Sequence, residues 1–361
     1  VTGKPSTGLV ISDKFDDDDN NSKGGNQFVW VPCNGGKATY QLHTYETVNA
    51  NDYNDAVDDT GNGGWRTYRY RNYSDWKDDG GETVNGQSVS SVKANSVEKY
   101  GGFYVGRFEA GEPTTASFYN DKDGSTYWQA SKSDGDYSKT NTSINKRDKN
   151  QTEENGKNLL PVSKKNTPSW NYINQINSKT VSENMYGESK TVKSYLIDGT
   201  AWDTTIQWIS NSTGRSLTVG CKDWGNYLDS PSYTLKGLYA KHNYNNGWIP
   251  ALVYNNGSYK KNSQNSNNEH TEVATGVTVE GDSKRNSACN IYDMAGNMWE
   301  WTTETGKYDS TAEKATVYAV HRGGSFDDDV SNYPVSSRNG DATVSYSYNL
   351  NVGFRVVLYI Q

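Results

Sequence analysis

The chain has 361 residues, of which 32% are hydrophobic, and a mean hydropathy of -0.94. Its formal net charge of -7 and pI near 5.3 repel phosphate backbones and anionic lipid, which excludes nucleic acid and membrane surfaces as partners. The 11 Trp and 27 Tyr exclude a disordered polar chain, because burying aromatic area is what offsets the entropy of folding.

No run of roughly 18 apolar residues occurs, so no membrane insertion by a helix is expected. The chain opens on Val1-Thr-Gly-Lys-Pro5, with neither a charged n-region nor an apolar h-region. Either the protein is not secreted by the usual route or a leader has been removed. Residues 1–25 read as an N-terminal extension. Within it, Asp16-Asp-Asp-Asp-Asn-Asn21 lacks the alternate spacing and terminal Glu of an EF-hand loop and reads as a solvated charge run. The three cysteines, Cys33, Cys221 and Cys289, are odd in number and widely spaced, which predicts free, mostly buried thiols.

The first predicted strand is Gln27–Pro32, an apolar and aromatic run closed by Pro32. Residues 44–98 are polar and interrupted by Gly, and read as loop. Tyr100–Glu109 alternates apolar and polar positions after a Gly pair, the pattern of a half-buried strand. Residues 114–166 are rich in Ser, Asn, Asp, Lys and Thr and read as a surface insertion. Beyond it, Trp170, Ile173 and Ile176 fall at helical spacing, with Ser169 as cap and Gly187 ending the segment. A second helix is predicted over 200–209, with Trp202, Ile206 and Ile209 on one face and Asp198 or Thr200 as cap. Residues 211–288 read as a second loop-like insertion, in which Asn256-Gly257 favours a hairpin turn. Gly353–Ile360 reads as one central strand.

Three blocks stand out near the end of the chain. In Asn290-Ile-Tyr-Asp-Met-Ala-Gly-Asn-Met-Trp-Glu-Trp-Thr302, Gly296-Asn297 marks a turn. Trp299 and Trp301, two apart, share one strand face, and Glu300 takes the other. Arg322-Gly-Gly-Ser-Phe326 follows, then Asn351-Val-Gly-Phe-Arg355. Arg355 sits in an apolar strand and needs a buried carboxylate, for which Glu300 is the first choice. Trp299, Trp301, Phe354 and Val356 are expected in the core.

In that order the blocks resemble the formylglycine-generating-enzyme, or sulfatase-modifying-factor, branch of the C-type lectin fold. The resemblance implies an α+β C-type lectin fold of the formylglycine-generating-enzyme type over 26–361, with two flanking helices and long loop insertions at 114–166 and 211–288. Gln27–Pro32 resembles the opening strand of that domain and Tyr100–Glu109 its second. The resemblance also allows Asn297 and Glu300 to be oxygen ligands of a structural calcium; the alternative is a turn and core strand with Glu300 paired to an arginine. The enzymes hold copper(I) with two cysteines a few residues past Gly-Gly-Ser, where soft thiolates suit that ion. On this frame those positions fall near Asp328 and Tyr333, and 290–361 contains no cysteine. Arg338 falls where the family keeps an arginine. An iron site of the ergothioneine-synthase type would need histidines from the scattered His43, His242, His270 and His321, with no close pair. No nucleophile-elbow motif supports Ser-His-Asp hydrolysis.

The segment between the second and third blocks is dominated by Asp, Tyr, Ser, Asn and Gly. All five are reachable from an AAC codon by replacing adenines, a route that yields no stop. A fixed frame around such an insert resembles the variable proteins of diversity-generating retroelements, with 322–361 as the variable region. That resemblance implies a non-catalytic, ligand-binding protein on a phage tail tip or a bacterial surface. Its partner would be a macromolecule, a protein on a bacterial cell surface, and no cofactor beyond the structural calcium is implied. Tyr supplies rigid contact area and Ser, Gly and Asn adaptable hydrogen bonds, as in antibody paratopes. The expected ligand-binding residues are Asp327, Asp328, Asp329, Asn332, Tyr333, Ser336, Ser337, Asn339, Gly340, Asp341, Ser345, Tyr346, Ser347, Tyr348 and Asn349, with Asp327, Asp329, Tyr346 and Tyr348 accessible. The alternatives are an oxidase of the formylglycine-generating type with displaced cysteines, and a purely structural tail or surface module.

Overall fold

The computed structural model describes residues 7–12, 26–43, 77–112, 160–161, 174–230, 240–243, 247–250, 252–255, 258–261, 287–308, 316–326, 328–341 and 352–361. In chain order its main elements are β1 (Val10–Ser12), β2 (Gln27–Pro32), α1 (Val89–Tyr100), β3 (Gly102–Gly106), α2 (Gln175–Met185), β4 (Val192–Leu196) and α3 (Gly199–Thr213). The C-terminal part adds β5 (Trp299–Tyr308), β6 (Thr316–Arg322), β7 (Arg338–Asp341), β8 (Val352–Phe354) and β9 (Val356–Ile360). The class is mixed α+β. A five-stranded sheet runs β1-β2-β3-β9-β4, and a four-stranded sheet runs β7-β6-β5-β8.

Period-two alternation in β9 divides the core. Val357 and Tyr359 pack with Val97 of α1 and with Trp202, Ile206 and Ile209 of α3. Val356 and Leu358 pack with Val181 of α2, Trp299 and Trp301. The first sheet is therefore covered on both faces, so β2 buries Phe28 and Val29 alike.

α3 forms as the sequence predicts. The Asp198 carboxylate accepts the Ala201 N–H at 2.6 Å as N-cap, and Trp202, Ile206 and Ile209 are buried. The expected core residues Trp299, Trp301, Phe354 and Val356 are all buried as well. Asn255 lies opposite Ser258 in the hairpin signalled by Asn256-Gly257. A second pair, Ala240–Asn243 with Gly247–Pro250, lies in a stretch read as loop.

Three expectations are corrected. The tract read as loop over 44–98 holds all but the last two residues of α1, capped by Ser88, whose hydroxyl accepts the Ser91 N–H at 3.1 Å. Its buried stripe is Val89, Lys93 and Val97, and the lysine in the apolar register hides the periodicity. α2 begins at Gln175 among the described residues and buries Gln175, Ser178, Val181 and Ser182. Ile176, expected on the buried face, is 49% exposed; Ser169, Trp170 and Ile173 lie outside the described residues.

The expected single strand over 353–360 is two strands in two sheets. Phe354 of β8 pairs with Trp301 in parallel, and Val356 of β9 pairs with Leu196. Arg355 is the pivot. Its guanidinium bonds Glu300 and the carbonyls of Gly106 and Tyr292, each carbonyl at 2.9 Å, which takes the residue out of both ladders. Glu300 is the partner that the sequence nominated.

Candidate ligand-binding surface

The Asn290–Thr302 block is a turn feeding β5. Asn290, Asp293 and Asn297 all have positive φ. Gly296 does too, and a Cβ there would lie 2.4 Å from the Asn226 carbonyl oxygen, so only glycine fits. Asn297 then joins three parts of the chain. Its N–H donates to Asn226 O at 2.8 Å, its carbonyl accepts from Phe326 N at 3.0 Å, and its side-chain amide donates to Glu109 at 2.9 Å. Glu109 is fully buried; burial, then Asp293 and Glu300, push its carboxyl well above the usual range despite Arg355.

These contacts test the calcium expectation. The Asn297 side-chain oxygen accepts from Asn226 at 3.1 Å, and both Glu300 oxygens accept from Arg355. Asn297 and Glu300 as arranged do not fit a calcium ion, which takes six or more oxygens of this kind.

The Arg322–Phe326 block turns the chain over α3. Gly324 has φ +72, and a Cβ on it would meet the Tyr333 carbonyl oxygen at 2.4 Å. Ser325 donates its hydroxyl and N–H to the Asp328 carboxylate. Leu228 N–H donates to Asp328 O, and the Asp229 carboxylate accepts the Val330 N–H, both at 3.0 Å. The loop around 228–229, 43% exposed at Leu228, thus lies edge to edge with the start of the insert.

Below this edge lies a neutral four-charge cluster. Arg322 bonds Asp203 and, at 3.0 Å, Glu304; Arg338 bonds Asp203 and, at 2.6 Å, Glu304. Burial works against the Glu304 charge, but Arg338 and Arg322 outweigh it and hold the carboxyl at about 2. Arg322 also donates to Ser337 O at 2.8 Å and Ser336 O at 3.2 Å. Trp202 Nε1 donates to Val335 O at 3.0 Å, and Cys221 Sγ accepts the Val335 N–H at 3.4 Å. Beside the cluster, the His321 ring stands nearly perpendicular to those of Trp299 and Trp301, with centroids at 4.6 and 5.2 Å. Neither ring nitrogen has a hydrogen-bond partner among the described residues, and burial lowers its pKa to about 3.

The expected binding residues divide accordingly. Asp328, Asp329, Asn332 and Tyr333 are half-buried at the rim, and Ser331 between them is exposed. Ser336, Ser337, Asn339 and Gly340 are buried, a correction: Arg322 holds the carbonyls of the serines, and Asn339 and Gly340 pair with His321 and Val320 in the sheet. Asp341 ends β7 opposite Ala319. Asp327, Ser345, Tyr346, Ser347, Tyr348 and Asn349 lie outside the described residues. Tyr333 packs its ring against Trp299, with centroids 5.2 Å apart.

Sequence reasoning missed Asp203, Glu304 and the 228–229 loop. Glu304 left a signal, since Glu300, Thr302 and Glu304 repeat with period two opposite the tryptophans. No curated protein matches the chain. One solved structure, "Crystal Structure of CarF", is similar at a TM-score of 0.34 and 14% identity, over 72% of this chain and 87% of that one. Residues 233–360, which hold all three blocks, match the model of the sulfatase-modifying factor enzyme 1-like domain.

Proposed function

We propose that this protein is a non-catalytic binder of a macromolecular ligand, built on a C-type lectin fold, and that its contact surface is the segment following Arg322-Gly-Gly-Ser-Phe326. The observation that carries the reading is the rim. Among the described residues, the side chains of Asp329, Ser331 and Asn332 make no hydrogen bond, while the frame beneath satisfies its own charges. Side chains that the fold does not use are free to differ from copy to copy. That is the property a variable protein of a diversity-generating retroelement needs. The ligand on this reading is a protein of a bacterial cell surface, met from a phage tail tip or a neighbouring cell.

The cysteines support a non-catalytic role. Burial pushes the thiols of Cys33 and Cys221 up to about 12, away from the thiolate that binds copper(I). The test of diversification is the neighbouring DNA. A near-copy of the codons for 322–361, with adenines at the differing positions and a reverse-transcriptase gene beside it, is expected; intact flanks without either refute this origin. The test of chemistry is oxygen consumption with copper(I) and a cysteine-containing sulfatase peptide. No turnover is expected, and turnover that Cys221→Ser abolishes overturns the binder reading.

A further inference from the structure

The one buried lysine of the described core faces two carboxylates. Lys93 Nζ lies 2.7 Å from Asp79 Oδ1 and 2.8 Å from Asp198 Oδ2, and the three side chains are 1%, 3% and 2% exposed. The Tyr195 ring centre is 4.8 Å from Nζ and that of Tyr359 is 5.9 Å away. Asp79 is held for attack: its other oxygen accepts from Ser90 at 3.0 Å, and its backbone has φ 54. Asp198 is fixed as the α3 N-cap and accepts from the hydroxyls of Tyr40 and Tyr359, each at 3.3 Å.

Two carboxylates share this one ammonium in a dry place, so each competes for its protons. Burial raises Asp198 despite Lys93, whereas at Asp79 Lys93 outweighs burial. Of the two carboxylates Asp198 is therefore the better proton acceptor, and Asp79 is the target of the amine. We propose that Lys93 and Asp79 join in an intramolecular isopeptide bond, with Asp198 as the proton carrier.

The step balances without oxidant or reductant. Nζ attacks Cγ of Asp79 and a C–N bond forms. The two protons that the nitrogen sheds pass by way of Asp198 to one Asp79 oxygen, the C–O bond breaks, and water leaves. Asp198 ends in the state in which it began. The two carboxylates outweigh burial and hold Lys93 charged, so the amine is freed only by proton transfer inside the trio. The bond accordingly forms slowly, once per chain, and only after folding. It ties α1 to the Asp78–Gly81 turn, whose Asp78 accepts the Gly199 and Thr200 N–H groups at the start of α3.

The experiment is intact-mass spectrometry of the purified full chain, with tandem spectra of its peptides. The expected mass is that of the sequence less one water, with a branched peptide linking Lys93 to Asp79. Lys93→Met and Asp198→Ala should both restore the full mass, the latter while leaving nucleophile and target in place. A wild-type chain at full sequence mass after prolonged incubation overturns the proposal. So does a water loss that survives Lys93→Met and is cleaved by hydroxylamine, since a succinimide at Asp79-Gly80 has the same mass. Chain made and kept in denaturant, then refolded, gives a further readout: the water loss should appear with time only after refolding. Should the variants fail to fold, the wild-type mass and branched peptide still decide.

Discussion

Residues 328–333 and 334–341 have much the same composition and different fates. In the first, the polar side chains stand at the rim around a buried Val330 and the backbone closes on itself, with Asn332 and Tyr333 N–H groups returning to Asp329 O. In the second, groups from distant parts of the chain take hold of the main chain: Trp202 at Val335 O, Arg322 at Ser336 O and Ser337 O. Asp203 and Glu304 then fix Arg338. The contrast teaches that polarity alone does not place a loop at the surface. Backbone carbonyls left without a sheet partner can accept from a buried arginine, and this draws the main chain inward even though only the carboxylates neutralise the charge.

The largest expected effects come from breaking the base. Glu304→Ala leaves two buried guanidiniums on the single Asp203 carboxylate and should cost about 3–5 kcal/mol in denaturant unfolding. A loss no greater than a surface substitution gives would remove the distinction between base and rim. Trp299→Ala, which empties the wall shared by His321 and Tyr333, should also cost about 3–5 kcal/mol by the same measurement.

Acid should reach the base first. Glu304, held at about 2, contributes stability that is present above its unfolded value of about 4.3 and is lost as pH falls through the folded one. His321, neutral down to about 3, works in the same direction, because the unfolded chain binds its proton from about pH 6.5 downward. His321→Phe removes two unpaired buried nitrogens. It should stabilise the protein by about 1–3 kcal/mol at neutral pH and flatten the thermal-melt decline between those pH limits. An unchanged acid limb would show that His321 is not its source.

The smallest effect belongs to the rim. Asp329→Ser, Ser331→Gly and Asn332→Ser should each move stability by about 0.5 kcal/mol or less. A collective collapse of the melting temperature would make these residues structural and leave no part of the described segment free to vary.

The sequence showed the frame better than the site. Period and cap chemistry located β2, β3 and α3, and the apolar setting of Arg355 led to Glu300. What failed did so where a charge occupies an apolar register. Lys93 masked α1, and Arg355 looked like an interruption within one strand although it divides two. The buried base of the insert was illegible because its anchors, Trp202 and Arg322, hold main-chain atoms that carry no residue identity. The arginine-centred cluster could be seen only in part, through the alternation of Glu300, Thr302 and Glu304.

The seam at Arg355 also bears on how the chain reaches this fold. β9 lies between β3 and β4, so the central ladder joins segments far apart in sequence, with Val357 opposite both Val105 and Tyr195. Closing such long loops comes before any contact rewards it, which makes folding slow. Until Val356–Ile360 arrives, the facing edges of β3 and β4 stand open, and each can template pairing with another chain. Dilute refolding should therefore succeed where concentrated refolding aggregates, and occupancy of that central slot should be the last cooperative event.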